Sequence, residues 1–147
     1  MLYKIIFNLH ILVSIITLLA GLGTVANSII GWSSGKDYSR TDFILSLCFS
    51  IALYLQLLLG FMIYFLLRAS IENPAFEIPD SSNDASLRFW AIEHIALMIF
   101  ALFLAQLGRI YIRESANSFK RFRASVFYYG SSLLLILFSL TVALFFK

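Results

Sequence analysis

"RFWAIEHIALMIFALFLAQLGR", residues 88–109, decides how this chain folds. Between Arg88 and Arg109 the sequence is apolar over about the 20 residues that an α-helix needs to cross a bilayer. The run is interrupted by Glu93 and His94, a third of the way in. An ionisable side chain at that depth costs roughly 2.5–3.5 kcal/mol on insertion scales, so it is rarely found there without a partner or a task.

Working outward, three further apolar stretches have the same character. Together the four cover about Ile5–Ile30, Phe43–Leu67, Phe89–Tyr111 and Ala124–Phe146. They are joined by the polar connections "GWSSGKDYSRTD", "RASIENPAFEIPDSSNDASLR" and "IRESANSFKRFR". Both prolines, Pro74 and Pro79, fall in the middle connection, so no span is broken by one. Backbone groups in lipid must be satisfied within the protein, which makes the spans α-helices. Short connections then predict an all-α membrane protein, a single domain over residues 1–147 built as an up-down-up-down four-helix bundle.

Composition agrees. The 147 residues are 61% hydrophobic and 13% charged, with a mean hydropathy of +0.89. A water-soluble domain of this size could not hide so much apolar surface. The net charge of +3 comes with no basic run interleaved with aromatics, so nothing points to nucleic acid. A lone cysteine, Cys48, gives no disulfide framework. The N-terminal stretch has no small-residue cleavage site and reads as a retained first helix.

Basic residues predict the orientation. The first and third connections hold Lys36, Arg40, Arg109, Arg113, Lys120, Arg121 and Arg123. The opposite side has Lys4, Arg68, Arg88 and Lys147, diluted by Glu72, Glu77, Asp80 and Asp84. The positive-inside rule puts both termini outside, in the periplasm if the membrane is a bacterial inner membrane. Trp32 and Trp90 fall at the two interfaces, where aromatic anchors belong.

The second histidine, His10, lies six positions after Lys4, and His94 lies six positions after Arg88. At 1.5 Å per residue each is ~9 Å below its basic anchor, in helices running the same way. In a square bundle these two helices are diagonal, with axes about 11–14 Å apart. That spacing admits a flat macrocycle held edge-on with an imidazole on each face, and so permits bis-histidine haem b.

Stripes of small or weakly polar residues run in line with the histidines. They are Ser14, Thr17, Gly21, Thr24 and Ser28 on helix 1, and Ala91, Met98, Ala101, Ala105 and Gly108 on helix 3. Ala52, Gln56 and Gly60 share a stripe on helix 2. Such stripes allow close approach of a cofactor, and equally serve as ordinary helix-packing faces. Arg68 and Arg88 are candidates to pair with haem propionates, and read as well as snorkelling helix-end anchors. Gln56 is a candidate for a macrocycle edge or for a hydrogen bond across helices. Glu93 is offset about 100° from His94 around the helix, so the two cannot both face one iron.

The segments "LHILV" around His10, "LQLLLGFMIYF" from Leu55, "LRFWAIEHIALM" from Leu87 and "GRIYIR" from Gly108 resemble small bacterial four-span membrane proteins often labelled cytochrome B. The resemblance spans most of the chain in order, with "RFWAIEH" its most specific part. The fourth helix adds little beyond hydrophobicity. It implies a b-type haem with His10 and His94 as axial ligands. Another four-span family, the membrane protoporphyrinogen oxidases, also carries an early histidine, followed by a segment with proline, arginine and histidine. Here "AGLGTVANSIIGW" has none of the three.

The leading expectation is therefore a membrane electron-transfer cytochrome or haem-bearing subunit. Its haem would lie near the outer face, between quinol and a periplasmic or membrane partner. The alternative is a cofactor-free accessory subunit of a larger membrane complex, or of a homo-oligomer. A membrane enzyme is a third class, with Glu93 taken as the only buried carboxylate available as acid or base. Zinc is disfavoured, because it needs three or four convergent ligands.

Overall fold

The computed structural model describes residues 2–72 and 92–145, with side chains for 2–66 and 92–142. Four helices account for nearly all of this: α1 Leu2–Ser34, α2 Arg40–Glu72, α3 His94–Glu114 and α4 Ser118–Phe145. Each is long and apolar enough to cross a membrane. The molecule is a four-helix bundle in which α1 packs on α2 and α4, and α3 packs on α4 and α2. The α1/α3 and α2/α4 pairs are the diagonals. Up-down-up-down topology follows, because the α1–α2 and α3–α4 connections meet at one end, where the Tyr38 amide donates to Ser118 Oγ at 3.0 Å.

The helices run further than the hydropathy pattern suggests. The first and third connections shrink to residues 35–39 and 115–117, and the polar segments around them are helical. Local chemistry explains each boundary. Gly35 takes φ +64, a left-handed conformation open to glycine, and so ends α1. Ser39 and Asp42 form a capping box at the start of α2. The Asp42 carboxylate accepts from the Ser39 amide at 2.8 Å, and the Asp42 amide donates to Ser39 Oγ at 3.4 Å. Asn117 Oδ1 accepts from the Lys120 amide at 2.9 Å and caps α4. The N-terminal boundary expected for the third span, along with Ala91, Arg88 and Trp90, lies outside the described residues. Residues 92–93 make a wider, π-type turn ahead of His94.

The side chains sort as lipid requires. Leu12, Ile15, Ile16, Leu19 and Leu22 of α1 and Phe100, Phe103, Phe127, Leu134 and Phe138 of the second hairpin are exposed on the outside of the bundle. The interior is polar and small by comparison. Beyond Ile6 near its start, the buried residues along α1 are Thr17, Gly21, Thr24, Ser28 and Gly31, alternating three and four apart. This spacing averages 3.5 and lets each helix keep one seam towards its neighbours.

On α4 the same period appears as a ladder of serines, Ser118, Ser125, Ser132 and Ser139, seven residues apart. The three within the bundle are almost wholly buried, and each reaches a different place. Ser125 Oγ meets Ser28 Oγ at 2.6 Å. Ser132 donates to the Ala101 carbonyl at 2.7 Å, and Ser139 meets His94. Hydrogen bonds of this kind hold helices in register where lipid offers no hydrophobic drive, each worth about 0.6 kcal/mol.

Small residues then set the distances. A Cβ on Gly108 would come within 2.6 Å of Tyr128 Cβ, and one on Gly31 would collide with the Phe122 ring. Phe49 and Tyr129, almost without exposure, cross edge-to-face at 5.9 Å in the centre.

Candidate functional site

The site lies at the end of the bundle away from residues 35–39. His10 sits in the third turn of α1 and His94 opens α3, so both belong to the core-facing seams of diagonal helices. Their rings face each other across the bundle axis with centroids 6.5 Å apart and planes inclined at 72°. The shared level read from their spacing to Lys4 and Arg88 is thus a feature of the fold.

Each imidazole is held from a different neighbouring helix. His94 Nδ1 and Ser139 Oγ of α4 are 2.7 Å apart. His10 Nε2 accepts from the Gln56 amide nitrogen of α2 at 3.0 Å, so its ring proton belongs on Nδ1. The same amide donates to Ser14 Oγ, and Ser14 in turn donates to the His10 carbonyl at 2.8 Å. Gly60, one helical turn beyond Gln56, lies beside the His10 ring, where a Cβ would make an ordinary contact at 3.5 Å from His10 Cε1.

This polar cluster is left incomplete. Gln56 is 7% exposed, yet its Oε1 has no hydrogen-bond partner among the described residues, and neither does buried His10 Nδ1. Orphaned polar atoms in a low-dielectric interior cost about 1–3 kcal/mol each, so they mark places where something further is accommodated.

Two imidazoles bound to one metal from opposite sides, each nitrogen about 2 Å from it, bring their ring centroids to roughly 6 Å. The spacing of His10 and His94 is close to that value. Among the described residues no group of three histidine, cysteine or carboxylate side chains converges on a point. A metal held here by protein nitrogen would have two ligands, short of the four that a tetrahedral site uses. Its remaining ligands would come from outside the described residues.

The other residues singled out in the sequence fall as follows. Gln56 is brought to the pair. Arg68 lies on α2 with its side chain outside the described residues, and Arg88 lies outside them altogether. Glu93 corrects an expectation: it is exposed on the outside of the bundle, one residue and so about 100° away from the inward-facing His94. The carboxylate that is buried is Asp42, 4% exposed, and it sits at the opposite end. Ser14 was read only as a member of the stripe in line with His10, and Ser139 was missed. The seven-residue serine ladder of α4 is the signal that could have found Ser139. No family model, curated protein or solved structure matches this chain.

Proposed function

We propose that the chain is a membrane b-type cytochrome, or the haem-bearing subunit of a membrane complex, with His10 and His94 as the axial ligands of one haem. The observation that carries the reading is the pair of imidazoles on diagonal helices, 6.5 Å apart, in a cluster that leaves buried polar atoms unsatisfied among the described residues. The residues fit the group in two respects. Their spacing suits two opposed axial nitrogens, and two protein ligands are the number that haem iron takes from a protein carrying electrons. Bound there, haem supplies one-electron exchange.

The chain's own residues do the rest. Ser139 engages Nδ1 of His94, the nitrogen that would be remote from the metal with Nε2 as ligand, and so fixes the ring's rotation; its hydroxyl would then accept the Nδ1 proton. Gln56 covers the His10 Nε2 lone pair. Were that nitrogen to hold the group, the Gln56 amide would remain within reach of Ser14. Arg68 and Arg88 are the proposed propionate partners. Held by two histidines, the group would serve outer-sphere electron transfer and not substrate chemistry. The bilayer makes quinol the natural donor or acceptor on one side, with a periplasmic or membrane protein on the other. The arginine-rich end carrying residues 35–39 and 115–117 would face the cytoplasm of a bacterial inner membrane.

A second reading, a cofactor-free accessory subunit, is favoured by one observation: Gln56 and Ser139 already hydrogen-bond the two rings. A reduced-minus-oxidised absorption spectrum of detergent-purified protein, expressed with ample haem, separates the two. The cytochrome reading expects a low-spin b-type spectrum at one haem per chain. Protein without a Soret band overturns it.

A further inference from the structure

At the end of the bundle opposite the histidines, an open-sided cavity of about 370 Å³ lies between the start of α2, the end of α3 and the start of α4. Three arginines from these three places line it: Arg40, Arg113 and Arg121. Phe43 and Ile112, each adjacent to one of these helix ends and further into the span, give it an apolar wall. Among the described residues the single ion pair is Lys36–Asp42, so none of the three guanidinium groups is neutralised by a carboxylate.

Arg121 is held in place. Its Nε donates to the Ser115 carbonyl at 3.0 Å, and its guanidinium lies 5.8 Å from the centre of the Tyr38 ring. Tyr38 itself packs on Phe122 at 5.1 Å. Three like charges gathered around one concavity repel each other, and an anion seated between them relieves that repulsion. The planar guanidinium fork matches phosphate oxygens in particular.

We infer that this cavity binds the phosphate of an anionic phospholipid headgroup from the leaflet at that face. Arg40, Arg113 and Arg121 would hold the phosphate, while Phe43 and Ile112 meet the glycerol and upper acyl chain. The vertical order supports a lipid over a soluble anion: charge lies at the helix ends, where headgroups lie, and apolar residues follow directly inward. The inference is independent of haem binding.

The test is native mass spectrometry of the full-length chain in dodecyl maltoside, titrated with phosphatidylglycerol or phosphatidylcholine. Arg40→Gln and Arg113→Gln are the variants, since neither side chain carries a described hydrogen bond. Lys120→Gln is the equal-charge control at the same end, outside the cavity. The expected result is a preference for phosphatidylglycerol that falls about fivefold with each arginine removed and is unchanged in the control. Inorganic phosphate at millimolar concentration should leave the bound lipid in place. Equal retention of the two lipids, an undiminished preference in the arginine variants, or displacement by inorganic phosphate would each overturn it.

Discussion

The two ends of the bundle treat their buried polar clusters differently. At the end carrying residues 35–39, the Asp42 carboxylate is almost fully buried and is saturated with donors. It accepts from Lys36 Nζ at 2.9 Å, from the Ser39 amide at 2.8 Å, from Ser39 Oγ at 2.7 Å and from the Asn27 amide. Lys36 also lies 5.4 Å from the centre of the Phe122 ring. The carboxylate itself is fully engaged, although the buried Tyr38 hydroxyl at the same end has no hydrogen-bond partner among the described residues. At the other end, His10, Gln56 and Ser14 form a chain of hydrogen bonds that stops short, leaving Gln56 Oε1 and His10 Nδ1 without partners among the described residues. A saturated network fastens helices together, whereas an unsaturated one of comparable burial points to a ligand. The same chemistry therefore serves as a clasp at one end and as a candidate binding site at the other.

The largest effects should separate these roles outright. His10→Ala and His94→Ala are each expected to abolish the low-spin haem spectrum while the chain still folds, because both positions tolerate a smaller side chain at a helix seam. Haem retained at full occupancy in either variant would break the comparison. Asp42→Ala should do the converse. It strips the acceptor from Lys36, Asn27 and the α2 cap and costs about 2 kcal/mol or more. That loss can be read by denaturation in mixed micelles, and the histidine end should load haem as before.

Two serines of one ladder sharpen the contrast. Ser139→Ala should weaken haem affinity about tenfold, as loss of a ligand-orienting hydrogen bond does, measured by competition with apo-myoglobin. Ser125→Ala removes only the 2.6 Å contact with Ser28; it should lower stability by about 1 kcal/mol and leave haem affinity unchanged. If both serines behave alike, Ser139 is one more rung and not a positioning residue. Smallest of all, Gly60→Ala places a methyl 3.5 Å from His10 Cε1, an ordinary contact, and should change neither stability nor haem loading measurably.

Much of this arrangement was legible in the sequence, for physical reasons. Four apolar runs without proline leave no choice but helices in lipid. The small-residue stripes through Thr17, Gly21, Thr24 and Ser28 and through Met98, Ala101, Ala105 and Gly108 prove to be buried seams. The common level of His10 and His94 could be counted from basic residues because helical rise is constant. Helix ends were less legible. "SRTD" reads as polar linker by hydropathy, yet Ser39 and Asp42 in it form the box that starts α2. Glu93 was misjudged for a related reason: depth along a helix follows from position, but facing follows from rotation, and one residue of rotation carries it outside. Ser139 went unnoticed because α4 looked uniformly apolar, and a hydroxyl every seventh residue barely alters a hydropathy average.

The account turns on His10 and His94 acting as a pair. Electron paramagnetic resonance of the oxidised, haem-loaded protein tests this most directly, with the two single alanine variants measured beside it. The account predicts a low-spin ferric signal in the wild-type chain that disappears in His10→Ala and in His94→Ala alike, leaving high-spin haem or none. A low-spin signal that survives loss of either histidine would contradict it and move the axial ligand elsewhere.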